Sequence, residues 1–274
     1  MSSILIPVVI VAAMGLVLGL GLAVASKLFA VPVDKKAEEI RACLPGANCG
    51  ACGFSGCDGY AAALSEGKTD QTNLCGPGGK EAAKGIAKVL GVEAGDVKQM
   101  VAVVLCQGNY NNVGIKLDYS GVKSCKMAAQ LFGGPKTCTY GCLGFGDCVE
   151  KCPYGAIFLC DGVARVNPEL CQSCRMCMNV CPRGLIELYP VEEAHAGVFC
   201  KNRDKGAVTR KACKQGCIGC TKCARVCEAG AVTIENNVAH VDTRKCTGCG
   251  KCMEGCPTGA INLILPKKSE PAAG

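Results

Sequence analysis

Nine cysteines recur in one register 75 residues apart, and this repeat constrains the chain more than any other feature. Cys125, Cys138, Cys142, Cys148, Cys152, Cys171, Cys174, Cys177 and Cys181 are answered by Cys200, Cys213, Cys217, Cys223, Cys227, Cys246, Cys249, Cys252 and Cys256. Their surroundings repeat too: Lys136-x-Cys138-x-x-Gly141-Cys142-x-Gly144 matches Lys211-x-Cys213-x-x-Gly216-Cys217-x-Gly219. The carboxy-terminal half is therefore a duplicated module. With 26 cysteines, no tryptophan and only six tyrosines and six phenylalanines, one large conventional core is a poor expectation. Something besides apolar burial must hold such a chain together. Two histidines and no Ser-His-Asp set argue against hydrolytic catalysis.

The best-preserved unit of each module is C-x2-C-x2-C-x3-C-P: Cys171, Cys174, Cys177, Cys181, Pro182, and again Cys246, Cys249, Cys252, Cys256, Pro257. Three closely spaced thiolates wrap three corners of an iron–sulfur cubane, and the cysteine before proline reaches a different cluster. Zinc is the alternative for any single C-x2-C pair. Its sites, however, usually join two dyads across a longer spacer or bring in histidine. The cross-over rule assigns Cys217, Cys220 and Cys223 to one cluster with Cys256, and Cys246, Cys249 and Cys252 to another with Cys227. In the first module Cys171, Cys174 and Cys177 go with Cys152. The remaining site has Cys142, Cys148 and Cys181, but Phe145 stands where Cys220 would be matched. Phenylalanine cannot ligate iron, so the sequence assigns the nearest cysteine, Cys138, to this site.

Apolar pairs follow the runs, and Val232-Thr233-Ile234 and Val238-Ala239-His240-Val241 around Glu235-Asn236-Asn237 read as a hairpin. This is the small α+β plan of bacterial two-cluster ferredoxins, which each module resembles. Upstream, Cys49-Gly-Ala-Cys52-Gly-Phe-Ser-Gly-Cys57 and Cys75 form another dense group, its glycines permitting tight turns. With no histidine nearby, a 4Fe–4S cluster on Cys49, Cys52, Cys57 and Cys75 is expected over a zinc knuckle. Five clusters thus take 20 cysteines. Cys106, Cys125, Cys200 and Cys213 offer a sixth, with buried thiols as the alternative. Cys43 and Cys160 have no motif support.

Residues 4–25 carry no charge and are long enough to cross a bilayer, while Lys27, Lys35, Lys36 and Arg41 follow. The positive-inside rule puts the amino terminus outside and the bulk of the chain in the cytoplasm, on the inner face of the cell membrane. Thiols there stay reduced, which favours ligands over disulfides. The formal charge of +7 invites a nucleic-acid reading. Five clusters with deprotonated ligands contribute about −10, so that reading is set aside.

The expected plan is α+β: a single transmembrane anchor (1–29), a small 4Fe–4S domain (30–95), a connecting segment (96–135), a ferredoxin-like module (136–192), a connector (193–210), a second module (211–268) and a tail (269–274). An apolar helix, then L-P-G-x-N-C-G-x-C-G-x-x-G-C over 44–57, then ferredoxin-like modules, is an order that resembles the B subunits of the Rnf complexes, the ion-translocating ferredoxin:NAD oxidoreductases. The duplicated module is similar to the longer forms in anaerobic bacteria. The resemblance implies an electron carrier that takes single electrons from reduced ferredoxin and relays them toward membrane and flavin-bearing partners, with no substrate chemistry of its own. Two rivals stay open. One is an iron–sulfur component of another membrane oxidoreductase, of hydrogenase or formate dehydrogenase type; the other is a membrane-tethered metal-binding scaffold without redox work.

Overall fold

A computed structural model describes residues 2–28, 34–191 and 194–264. The junction 29–33 and the tail expected at 269–274 lie outside the described residues.

The first element is helix α1 (Ser2–Leu28). Its span Val8–Lys27 is long and apolar enough to cross a membrane, and none of that window is buried against the rest of the chain. Leu16, Val17 and Leu22 are each about 70% exposed, as an aqueous helix would not tolerate but lipid would.

Three helices follow: α2 (Lys35–Ala42), α3 (Cys57–Ser65) and α4 (Gly79–Leu90). Asp34 caps α2 by accepting the Lys36 amide at 2.9 Å. Gly91, in the left-handed conformation, terminates α4 with its amide on the Ala87 carbonyl. Ile40, Leu44, Tyr60, Leu64 and Ile86 make a small core, and Cys57 and Cys75 are part of it.

Each module then has two antiparallel strand pairs flanking short helices. In the first, β1 (Met100–Val104) precedes α5 (Cys125–Gln130) and α6 (Asp147–Glu150). After these come β2 (Ile157–Cys160), β3 (Val163–Val166), α7 (Met176–Val180) and β4 (Ile186–Pro190). β2 and β3 form a hairpin, and β1 pairs with β4 in the register Met100↔Pro190 to Val104↔Ile186. The second module runs β5 (Ala196–Val198), α8 (Gly206–Ala212), α9 (Lys222–Arg225), β6 (Val232–Glu235), β7 (Val238–Val241), α10 (Lys251–Glu254) and β8 (Ile261–Leu263). Here β6 pairs with β7 and β5 with β8. The expected hairpin is present, turning on Asn236 and Asn237, both at positive φ; Asp161 and Gly162 make the matching turn.

The segments read as connections therefore contribute strands: β1 lies in 96–135 and β5 in 193–210, each closing a module by pairing with its last strand. Isolated five- and three-residue strands carry too weak a periodic signal to be separated from loop.

Two close approaches repeat. A Cβ on Gly144 would lie 2.4 Å from the Gly162 carbonyl oxygen, and one on Gly219 would lie 2.8 Å from that of Asn237. Glycine lets the cysteine loop settle directly on the hairpin turn in both modules.

Candidate iron–sulfur sites

Three cavities are each lined by four cysteines, and three further sets of four thiols lie within electrostatic reach of one another; these are numbered below as groups one to six. In the first, Cys49, Cys52, Cys57 and Cys75 line one cavity with Leu44, Pro45 and Tyr60. The Asn48 side chain fixes the loop by accepting the Cys57 amide at 2.9 Å. Tyr60 closes the floor, its hydroxyl donating to the Gln71 carbonyl at 2.5 Å, and burial pushes its phenol up to about 12.

The second group is Cys152 with Cys171, Cys174 and Cys177. Burial, then the thiols of Cys174, Cys171 and Cys152, push Cys177 up to about 12. Group one adjoins group two: Cys174 senses Cys49, and Tyr154 lies within reach of Cys174, Cys49, Cys75 and Cys152.

At the third group the geometry differs from the sequence reading. Cys142, Cys148 and Cys181 line one cavity with Cys125, not with Cys138. Burial, then Cys142, Cys125 and Cys181, push Cys148 up to about 12. Asp147 positions Cys125. Its carboxylate accepts the Cys125 amide at 2.7 Å, the Ser124 hydroxyl at 2.9 Å and the Lys126 amide at 3.0 Å, gripping the start of α5. Burial raises the Asp147 pKa, but these donors outweigh it and hold the carboxyl below its usual range. Phe145 packs instead against Tyr119, with ring centroids 5.2 Å apart and the rings tilted by 54°.

Cys138 belongs to a fourth group, whose cavity is lined by Cys106, Cys138, Cys200 and Cys213. The sequence offered this sixth site with Cys125 in place of Cys138; the two exchange. Cys106 and Cys138 come from the first module, Cys200 and Cys213 from the second, so the site is shared across their boundary. That boundary is stitched by Thr137 donating to the Ala212 carbonyl at 2.8 Å and Asn112 to the Gln215 side chain at 2.8 Å. Groups three and four touch directly: the Cys142 amide donates to the Cys106 sulfur at 3.3 Å.

Two further sets of neighbouring thiols lie in the second module. Cys223 is pushed up to about 11 by burial, with Cys217, Cys220 and Cys256 contributing. Burial also raises Cys252, beside Cys246, Cys227 and Cys249. Cys200 lies near Cys217, linking group four to group five. Cys217, Cys223 and Cys252 share one buried core, which joins groups five and six.

Backbone amides reach these sulfurs in matching fashion: Ala102 to Cys171 at 3.4 Å and Ala196 to Cys246 at 3.5 Å, Gly108 to Cys106 at 3.3 Å and Asn202 to Cys200 at 3.5 Å. Such donors stabilise negative charge on sulfur. Cys43 and Cys160 join no group; Cys43 donates to the Glu39 carbonyl at 3.4 Å, and Cys160 is exposed at the end of β2.

The donor set fits 4Fe–4S clusters. Four thiols line the spaces of groups one, three and four, and Gly141 lies against the Cys106 and Cys138 sulfurs, where a Cβ would be 3.5 Å from both. Buried thiols pushed this far up would stay protonated unless a cation replaced their protons.

The sequence misses the Cys125–Cys138 exchange because the repeat is not gapless. Val104 and Cys106 correspond to Val198 and Cys200, an offset of 94 residues, whereas Cys138, Cys142, Cys148, Cys152, Cys171, Cys174, Cys177 and Cys181 follow the offset of 75. The first module therefore carries nineteen extra residues between Cys106 and Cys138, and Cys125 lies within them. The usable signal is the apolar stretch leading into each cysteine, Val103-Val104-Leu105-Cys106 against Gly197-Val198-Phe199-Cys200.

Comparison with known proteins agrees with this chemistry. The Fe–S cluster family model matches 44–77, the 4Fe-4S binding domain matches 163–186, and the 4Fe-4S dicluster domain matches 211–263. The B subunit of the Na(+)-translocating ferredoxin:NAD(+) oxidoreductase complex of Acetobacterium woodii is 41% identical over 89% of this chain and 73% of its own length. The B subunit of the ion-translocating oxidoreductase complex of Methanosarcina acetivorans is 40% identical over 89% of this chain and 93% of its own. The counterpart from the proton-translocating complex of Clostridium ljungdahlii is 38% identical over 88% and 85%. An apolar helix, 4Fe–4S domains and these relatives together make the chain a member of the B-subunit family of the Rnf complexes, ion-translocating oxidoreductases.

Proposed function

We propose that this protein is a six-site electron relay, carrying single electrons from reduced ferredoxin toward the membrane partners of a ferredoxin:NAD oxidoreductase. The observation that carries the reading is the adjacency of successive cysteine groups: Cys49 beside Cys174, Cys177 beside Cys148, Cys142 on Cys106, Cys200 beside Cys217, and Cys217 and Cys223 in one core with Cys252. A 4Fe–4S cluster supplies a one-electron couple with no bond broken.

The residues do the rest. Twenty-four thiolates hold the couples in order, and amide donors to sulfur offset the charge that each electron adds. The helical domain holding Cys49, Cys52, Cys57 and Cys75 follows α1 most closely in sequence, so group one is the exit toward the membrane. Cys249 of group six is exposed, which makes that end the entry for a soluble donor. The basic residues after α1 favour a cytoplasmic position for all six groups, beneath a single-pass anchor. The modules run from β1 to β4 and from β5 to β8, with the helical domain as a third unit.

Cys138→Ala in the assembled complex tests the relay, because group four joins the two modules. The expected result is loss of about four of some 24 irons per chain, with ferredoxin-dependent NAD reduction abolished and the protein still in the membrane. Undiminished NAD reduction in that variant would overturn the reading.

A further inference from the structure

The first module buries a lysine for which electron transfer through the six groups has so far had no use. Lys136 is 2% exposed. Its ammonium donates to the Gly108 carbonyl at 3.0 Å and the Gly162 carbonyl at 2.6 Å, and stands 5.2 Å from the centre of the Tyr110 ring. Two carbonyl oxygens and an aromatic face are the surroundings of a held cation. No carboxylate is among these partners. Lys136 instead lines the cavity of group four with Cys106, Cys138, Cys200 and Cys213. Burial lowers its pKa, and Cys142 of group three together with Cys106, Cys138 and Cys213 opposes that shift by favouring the charged form. The cradle is built for it: a Cβ on Gly162 would collide with the Tyr110 ring at 2.5 Å. The repeat places Lys211 at the matching position of the second module, and there the side chain is exposed. The charge is thus buried on one side of the module boundary only.

We propose that Lys136 is a positioning residue for the electron, a buried positive charge that raises the reduction potential of groups three and four above that of group five. This rests on the relay reading. An electron arriving at group four adds one negative charge beside the ammonium, and no proton or bond changes hands. Where water is excluded, such a charge acts strongly and is little screened by salt. The boundary between the modules then becomes a downhill step toward the membrane, and return flow into the second module is disfavoured.

The test is an anaerobic, EPR-monitored potentiometric titration of the full-length, cluster-loaded chain, with iron and sulfide counted on the same samples. The variants are Lys136→Gln, which keeps an amide donor without the charge, and Lys136→Arg, which keeps the charge. In Lys136→Gln the reduction equilibrium of one or two cluster equivalents should become about tenfold less favourable, which for one electron is about 59 mV. Lys136→Arg should titrate like the parent. Full iron content with an unshifted titration in Lys136→Gln would overturn the proposal while leaving the relay intact. Loss of group four's iron in both variants alike would also overturn it, making Lys136 a packing residue; loss in the Gln variant alone would support the charge. A parent chain without iron and sulfide would instead overturn the relay reading itself.

Discussion

The two modules share a cysteine register and a strand plan, yet they reach four-thiol sites by different routes. In the second module, Cys217, Cys220 and Cys223 sit in one local run and wait only for Cys256. In the first, Phe145 replaces the middle cysteine of that run, and an insertion delivers Cys125 from α5. The replacement is consistent throughout. Phe145 packs on Tyr119 of the insertion, and Asp147, two residues on, clamps the amides at the start of α5. A thiol missing from a short loop is thereby supplied by another segment, and Asp147 holds that segment in place.

The strongest effect should come from breaking that exchange. Cys125→Ala should remove group three, lower iron by about four per chain and interrupt transfer between the membrane-side groups and the second module. Adding Phe145→Cys to that variant should restore the missing iron, because it recreates the local run of the second module; iron analysis and EPR spin counting decide. No recovery would mean that the loop around Phe145 has diverged beyond the shared plan.

Next in size is the clamp. Asp147→Ala removes three hydrogen bonds to one charged acceptor, worth about 2 kcal/mol locally after relaxation. Group three should lose iron to a chelator faster than groups five and six, a difference that timed chelation followed by EPR would show.

A third expectation concerns protons. In the metal-free chain the folded state holds the Cys148, Cys177 and Cys200 thiols up to about 12, against 9.0 for an ordinary thiol. The unfolded chain releases those protons first. Stability from this source is therefore complete below about pH 9 and is lost as pH rises toward 12. Reductant-containing denaturation series of the metal-free chain should show the midpoint falling across that window. The loaded chain, whose sulfurs are already deprotonated, should show no such fall.

The mildest effect concerns the junction of the helical domain with the first module. Gly76 faces Ser173, and a Cβ there would lie 3.2 Å from the Ser173 carbonyl oxygen. Gly76→Ala should cost about 1 kcal/mol through overpacking and slow transfer between groups one and two without changing iron content, as stopped-flow reduction would reveal.

How much was legible in the sequence follows from how local each feature is. The runs at 171–181, 217–227 and 246–256 carry their ligands at short fixed spacings, so the cross-over partners Cys152, Cys227 and Cys256 could be read directly. The group at 49–75 is equally local. Cys125 and Cys138 are not, because their partners lie across an insertion that a gapless register conceals. Cys125 aligns with Cys200 by sequence, whereas β1 and β5 show that Cys106 is its true counterpart. The strands β1 and β5 escaped for a related reason: each is defined by pairing with a strand far along the chain, which short apolar runs do not announce.

The relay requires six clusters in one row, with Cys106, Cys138, Cys200 and Cys213 holding the one between the modules. Iron anomalous scattering from anaerobically grown crystals of the loaded protein would locate every cluster and its ligands at once. Six cluster-sized peaks are expected, with Cys125 bound at the third and Cys138 at the fourth. Five peaks, with Cys138 bound beside Cys142, Cys148 and Cys181, would refute that order.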